Sequence, residues 1–154
     1  MRVRRGRPED VDQVVRLWRG MWDHHVPLDP RFQSTPAAEV VMARWYKDHL
    51  ESDRSALWVA EEGPGELEGY CLAVILENPP VVPWPQYGYL SEISVRGRGR
   101  GVGTKLLEAA HGWFRERGVP YVEVSVSVKN EGARRFWRRH GYAEFLERLR
   151  LELG

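Results

Sequence analysis

Residues 87–107 read YGYLSEISVRGRGRGVGTKLL, and the rest of the chain is best understood outward from this stretch. Tyr87–Val95 is rich in strand formers. Glycines follow at 97, 99, 101 and 103, and then a helix carries Leu106, Leu107, Ala110, Trp113 and Phe114 at helical spacing. Alternating glycines let successive backbone N–H groups converge without side-chain clash, and the helix dipole adds positive potential. Phosphate oxygens suit such a nest, and Arg98, Arg100 and Lys105 would add charge to it. Two familiar phosphate motifs do not fit. A P-loop needs Gly-Lys-Ser/Thr, whereas Gly103 is followed by Thr104 and then Lys105. The dinucleotide fingerprint G-x-G-x-x-G finds no third glycine at the required position. The competing reading is a flexible turn whose arginines face water; the placement between strand and helix speaks against it.

On the N-terminal side, Val11, Val14, Val15, Trp18 and Trp22 repeat with a period near 3.6, and Pro8, Glu9 and Asp10 suit the start of that helix. Asp23–Thr35 has two prolines and no periodicity, so it reads as a loop. Thr35-Pro36 reads as a cap opening a second helix, with Val41, Trp45 and Leu50 on its apolar face. Ala56–Glu61 and Leu67–Leu76 read as a hairpin around Gly63-Pro-Gly-Glu66, and four prolines keep 78–85 irregular. On the C-terminal side Gly118 stops the helix, Tyr121–Val128 is strand-like, and Glu131–His140 is a short helix closed by Gly141. Residues 145–153 then alternate as a final strand, with Glu147 unexplained on its apolar side. The expected order is β-α-α-β-β-β-α-β-α-β, an α/β (α+β) arrangement with a mixed sheet, as a single domain over 1–154.

Composition narrows the function. In 154 residues, 23 Lys and Arg nearly balance 22 Asp and Glu, which argues against a general nucleic-acid binder or a polybasic membrane protein. Cys71 alone can form no internal disulfide or metal cluster, and no apolar run reaches the ~20 residues of a membrane span. The basic N-terminus has no apolar stretch behind it, so a cytoplasmic location is expected. His24 and His25, with Asp29 and Glu39 nearby in sequence, match no zinc spacing, so no metal is expected.

The glycine segment and a second segment together resemble the GNAT superfamily of N-acetyltransferases. The first, [RQ]-x-x-G-x-[GA], appears as Arg98-Gly99-Arg100-Gly101-Val102-Gly103. The second, N-x-x-A-x-x-[FLY]-[YF]-x-x-x-G-[FY], appears as Asn130, Ala133, Phe136, Trp137, Gly141 and Tyr142, at the usual separation. The resemblance implies an acyl-CoA N-acyltransferase fold, a mostly antiparallel sheet with helices on both faces. It implies acetyl-CoA as co-substrate and an amine, small-molecule or peptide, as acceptor. The backbone amides from Arg98 to Thr104 would hold the pyrophosphate, and Ile93, Ser94 and Val95 would line the pantetheine and acyl group. Asn130, with Ala133, Phe136 and Trp137, would meet the cofactor arm; capping the last helix is the equal alternative for Asn130. Three departures stand out: a shorter turn between Val95 and Arg98, Trp137 where the family often has a thiolate-protonating Tyr, and one terminal strand where many members have two. An open sheet edge or a homodimer would follow from the last.

For the general base, Glu92 is the carboxylate inside the strand beside the implied reaction point, with an edge salt bridge as its bland alternative. His24 is a candidate proton relay and His25 a candidate acceptor contact, both in the segment that shapes the acceptor site in the family. With Tyr gone from position 137, Tyr142 is the candidate acid, and core packing is its competing role. Ser127, Trp22, Trp84, Tyr87 and Tyr89 are candidate acceptor-pocket residues, since aromatic walls suit an apolar or cationic amine. A non-catalytic acyl-CoA sensor is the alternative function, and a local arginine patch for nucleic acid is the weakest.

Overall fold

The computed structural model describes all residues 1–154. Its core is a five-stranded sheet in the order β1-β2-β3-β4-β5. The strands are β1 (Arg2–Arg5), β2 (Ser55–Gly63), β3 (Glu66–Glu77), β4 (Gln86–Val95) and β5 (Val122–Val124). The first four are antiparallel neighbours, and β5 runs parallel to β4. The helices are α1 (Val11–His25), α2 (Ala38–Glu51), α3 (Val102–Glu116) and α4 (Glu131–Arg139).

Strand alternation sends neighbouring side chains to opposite faces, so each strand feeds two cores. Leu57, Val59, Tyr70 and Leu72 pack with α1 and α2; Ala56, Ala60, Cys71 and Ala73 pack with α3 and with Trp137 of α4. The α3 face takes small residues because that helix lies close. At Gly88 an added Cβ would stand 2.8 Å from the Phe114 ring, nearer than any real contact.

Asp10 ties the first strand to the first helix. Its carboxylate accepts two bonds from the Arg4 guanidinium, at 2.8 and 3.0 Å, and one from the Arg7 backbone N–H. Burial opposes ionisation of Asp10, but those bonds outweigh it and hold the carboxyl below its ordinary range. Asp10→Ala removes one of the two carboxylates on the largely buried Arg4 guanidinium and leaves Glu61 as its partner, so a cost of about 2 kcal/mol is expected from urea unfolding at pH 7. Because the folded pKa is depressed, that contribution is present above the ordinary carboxylate range and fades as pH falls through the folded value.

Four expectations need correction. The second helix begins at Ala38 and not at Pro36; the Ala38 N–H bonds the Thr35 carbonyl, and residues 36–37 form a turn. Its buried face carries Tyr46 and Ala38, with Trp45 and Leu50 partly covered, while Val41 is 58% exposed. The strand expected over 121–128 is regular only at Val122–Val124, because β4 pairs with it over three residues. The expected last strand does not form: residues 143–154 have the alternating sequence of a strand but make no backbone ladder with any neighbour.

Candidate active site

The glycine loop is shaped by two left-handed residues. Gly99 and Gly101 have φ of 79° and 73°, a region that side chains with a Cβ enter only with strain. Gly101 caps α3, and the first intrahelical bond of the helix is donated by Lys105 to the Gly101 carbonyl. The N–H groups of Val102, Gly103 and Thr104 therefore precede the helix ladder and stay free for an anion. The loop lies against α4: a Cβ on Gly132 would sit 3.2 Å from the Arg98 guanidinium, and one on Gly103 3.4 Å from Phe136. Arg98 and Gly103 are thus brought beside Gly132 and Phe136 from two sequence segments. Arg100 is instead paired with Glu68 of β3, and Arg96 with Glu66.

Next to the loop the sheet opens. Parallel pairing of β4 with β5 stops at Leu90–Val124, while β4 runs on to Val95. From Ser91 onward β4 offers backbone groups on its β5 side with no strand to take them. A bulge marks the same point: Leu72 pairs with Glu92 and the next residue, Ala73, with Leu90, so Ser91 is the extra residue. The bulge reverses the alternation. Leu90 lies in the α3 core, yet Glu92 meets Tyr70 and Tyr46 on the α1–α2 face. Ser94 shares that face and donates to the Leu17 carbonyl of α1, while Ile93 and Val95 pack toward α3.

Glu92 is half-buried in a small polar cluster. Its Oε2 accepts from the Tyr46 hydroxyl at 2.6 Å and from the Tyr70 hydroxyl, and the two hydroxyl oxygens are 2.9 Å apart. Each phenol has one proton, so both spend it on the carboxylate. Burial pushes the Glu92 pKa up, and the two phenol bonds offset only part of that rise. Both tyrosines are pushed well above the ordinary phenol range by burial and by the facing carboxylate, so they stay neutral donors. Glu92 thus has one free oxygen and a raised proton affinity.

A second, aromatic group gathers at the end of α1 and in the α1–α2 connection. His25 stacks on Phe32 at 4.9 Å, and Phe32 packs against Trp22 at 4.7 Å. The Trp22 indole N–H is buried with no partner. His25 Nδ1 donates to the Met21 carbonyl, which leaves Nε2 to accept from the Asn130 amide at 3.2 Å. Asn130 also caps α4 through its Oδ1 and the Ala133 N–H, so it fills the capping role and links that helix to the α1–α2 connection. Asn130→Ala should lose about 1 kcal/mol of stability in thermal unfolding, and Asn130→Asp should recover most of it by restoring the cap alone. His24 is exposed, edge-on to His25.

Other candidates lie further off. Tyr87 is five residues before Glu92, roughly 16 Å along the strand; it stacks on Tyr121, and Trp84 is 55% exposed beside it. Tyr89 donates to Ser125. The Ser127 hydroxyl accepts from the Lys129 N–H within a turn. No three His, Cys, Asp or Glu side chains gather closely enough to hold a metal ion, and no helix is long and apolar enough to cross a membrane.

The profile of the Acetyltransferase (GNAT) family matches residues 17–142, which contain the loop, the opened strands and the capped α4. This chain belongs to the GNAT acetyltransferase family. An uncharacterised N-acetyltransferase of Methanocaldococcus jannaschii is 45% identical over 107 residues, which cover 66% of this chain and 46% of that protein. The chain therefore spans about half the length of this curated relative. Among solved structures, a mutant Bacillus halodurans protein superposes with a TM-score of 0.89 at 20% identity, covering 99% of both chains. A Clostridium acetobutylicum structure described as a predicted acetyltransferase with acetyl-CoA gives 0.80 at 18%, covering 99% of this chain and 96% of that one.

Trp137, near the end of α4, is only 6% exposed and lies in the α3 core between Phe136 and Tyr142. The Tyr142 hydroxyl is 2.7 Å from His111 Nε2 on α3, and burial pushes its pKa up. It packs on the sheet face opposite Glu92. Thr104, in the first turn of α3, faces His140 at 3.2 Å. Tyr46 and Tyr70, which hold Glu92, did not stand out in the sequence. The signal available was weak: two hydroxyl-bearing residues at otherwise apolar positions.

Proposed function

We propose that this protein transfers the acetyl group of acetyl-CoA to a primary amine by direct attack in a ternary complex. The observation that carries the reading is Glu92, which stands just past the residue where β4 parts from β5, turned by the Ser91 bulge onto the α1–α2 face and held there by two phenols. The free amides of the 98–104 loop suit the pyrophosphate, with Arg98 beside them. The unpaired edge of β4 near Ile93 and Val95 suits the amide-bearing pantetheine arm and would donate to the acyl carbonyl. Glu92 takes a proton from the incoming ammonium, directly or through one water, and its raised pKa suits it to that task. The amine nitrogen then bonds the carbonyl carbon as the carbon–sulfur bond breaks. The departing thiolate, with an ordinary thiol pKa near 8.5, takes the proton released by the amine or one from solvent. Tyr142 keeps its proton too tightly, and on the wrong face, to be the first choice for that step.

His25, Trp22 and Phe32 form the wall for the acceptor, and His24 stands at its outer end. A cationic amine suits a carboxylate ringed by aromatics. A homodimer and a cytoplasmic location belong to the same reading. A second reading is favoured by the burial of Trp137: a chain that binds acyl-CoA and does not turn it over.

Calorimetric titration with acetyl-CoA, CoA and ATP, followed by an amine screen that detects free thiol, tests both. Similar tight binding of the two CoA forms, weak ATP binding and amine-dependent thiol release are expected. Binding without release on any amine would leave the sensor reading, and no CoA binding would end both.

A further inference from the structure

Arginine and glycine alternate from Arg96 to Gly101, and the proposed chemistry gives a task to only one of the three guanidiniums, that of Arg98. Backbone hydrogen bonds do not hold this segment. The Arg96 N–H donates to the Glu68 carbonyl at 2.8 Å, one residue past β4, and the Gly101 carbonyl takes the first bond of α3. Between them, Gly97 to Arg100 make no backbone–backbone hydrogen bond. Glycines at 97, 99 and 101 give this stretch wide conformational freedom, so an amide nest here needs another restraint to keep its shape.

Side chains supply that restraint. Arg96 pairs with Glu66 at 3.2 Å, and Arg100 reaches Glu68 at 3.2 Å and Glu62 at 3.5 Å. All three glutamates belong to the β2–β3 hairpin. The two pairs differ in depth: the Glu66 side chain is 63% exposed, that of Glu68 only 12%. An open pair holds little, whereas a covered carboxylate depends on its partner. Glu68 is also the extra residue of a bulge. Ala60 pairs with Gly69 and Glu61 with Leu67, which leaves Glu68 with no partner on β2. Three carboxylates stand against two guanidiniums, so this cluster adds no positive charge for an anion. To serve as a phosphate ligand, Arg100 would first have to leave both of its carboxylates.

We propose that Glu68 is a positioning residue: through Arg100 it pins the glycine loop in the shape that gathers the 98–104 amides, and the Arg100 guanidinium is an anchor and not a phosphate ligand. The proposal rests on the CoA-binding reading of the loop. Gly99 and Gly101, on either side of Arg100, are both left-handed, so fixing the one side chain between them fixes both turns. The β2–β3 hairpin thereby prepares the cofactor site without touching the cofactor, and CoA meets a nest already ordered.

Calorimetric titration with CoA tests this on the parent, Glu68→Ala, Arg100→Ala, the double variant and Arg96→Ala, with a melting curve for each. The two possible roles of Arg100 differ in sign at Glu68. Were Arg100 a phosphate ligand, Glu68→Ala would remove a competing negative charge and tighten binding. With Arg100 as an anchor, Glu68→Ala should weaken CoA binding about 10-fold, Arg100→Ala by the same factor, and the double variant no further. Arg96→Ala takes the same charge from the loop but breaks only an exposed pair, so its loss should stay below about 3-fold. Melting temperatures should stay close to the parent's, and in kinetics the loss should fall on the KM for acetyl-CoA and not on kcat. Unchanged or tighter binding by Glu68→Ala overturns the proposal. So do additive losses in the double variant, or equal losses in Arg96→Ala and Arg100→Ala, which would mean that charge alone matters. A parent that binds no CoA ends the CoA-binding reading and this proposal with it; a parent that binds, with variants that match it, overturns this proposal alone.

Discussion

Glu92→Gln is expected to lower kcat/KM for acetyl transfer about 10²- to 10³-fold while leaving the affinity for CoA unchanged. The amide still accepts from Tyr46 and Tyr70, so the cluster keeps its shape, but it takes no proton from the ammonium. Steady-state kinetics beside a CoA titration separate the two effects; an equal loss in both would mean that Glu92 supports the fold and not the reaction. Stability moves the other way. The folded pKa of Glu92 is raised, so the contribution of this group is full below the ordinary carboxylate range and is lost as pH rises through the folded value. The Gln variant should therefore melt higher than the parent at pH 8, with the gap closing toward pH 4. Tyr46→Phe refines the test. It removes one bond that holds the Glu92 pKa down, so the acidic limb of the kcat/KM profile should shift to higher pH. A profile that stays in place would separate Tyr46 from the tuning of the base.

Gly101→Val should weaken CoA binding about 100-fold or more with little change in melting temperature. Position 101 has φ of 73° and caps α3, and a β-branched residue is a strong outlier there. Leaving the left-handed region turns the 102–104 amides away from a common centre, which removes several charge-assisted bonds to the pyrophosphate at once. The loop around it is exposed, so the core has little to lose. Calorimetry with CoA and with desulfo-CoA should show equal losses, because the change lies at the phosphate end. Retained affinity in the variant would place the pyrophosphate elsewhere.

Much of this architecture could be read before any coordinates. The Val11–Trp22 stripe, the hairpin around Gly63–Glu66 and the strand–glycine–helix succession over 87–107 all stand as expected, since each rests on local periodicity or on turn chemistry. Elements that depend on a neighbour were harder. The second helix buries Tyr46 and exposes Val41 because packing against the sheet, not its own periodicity, sets the rotation of that face. The tail has the alternation of a strand and is none in the single chain, because a strand exists only by its ladder. Trp137 could be placed in its motif from sequence alone, but its burial against Tyr142 and Phe136 could not.

The sequence by itself determined the loop. Gly99 and Gly101 permit left-handed turns that no other residue takes freely, and their place between a strand and a helix is written in consecutive residues. Only the tertiary structure decided the use of Glu92. One extra residue in β4, Ser91, exists as a bulge only when β3 lies alongside, and it reverses which face each later side chain meets. That reversal sets Glu92 against a phenol from α2 and another from β3, 46 and 22 residues away in the chain, a distance that no local pattern spans.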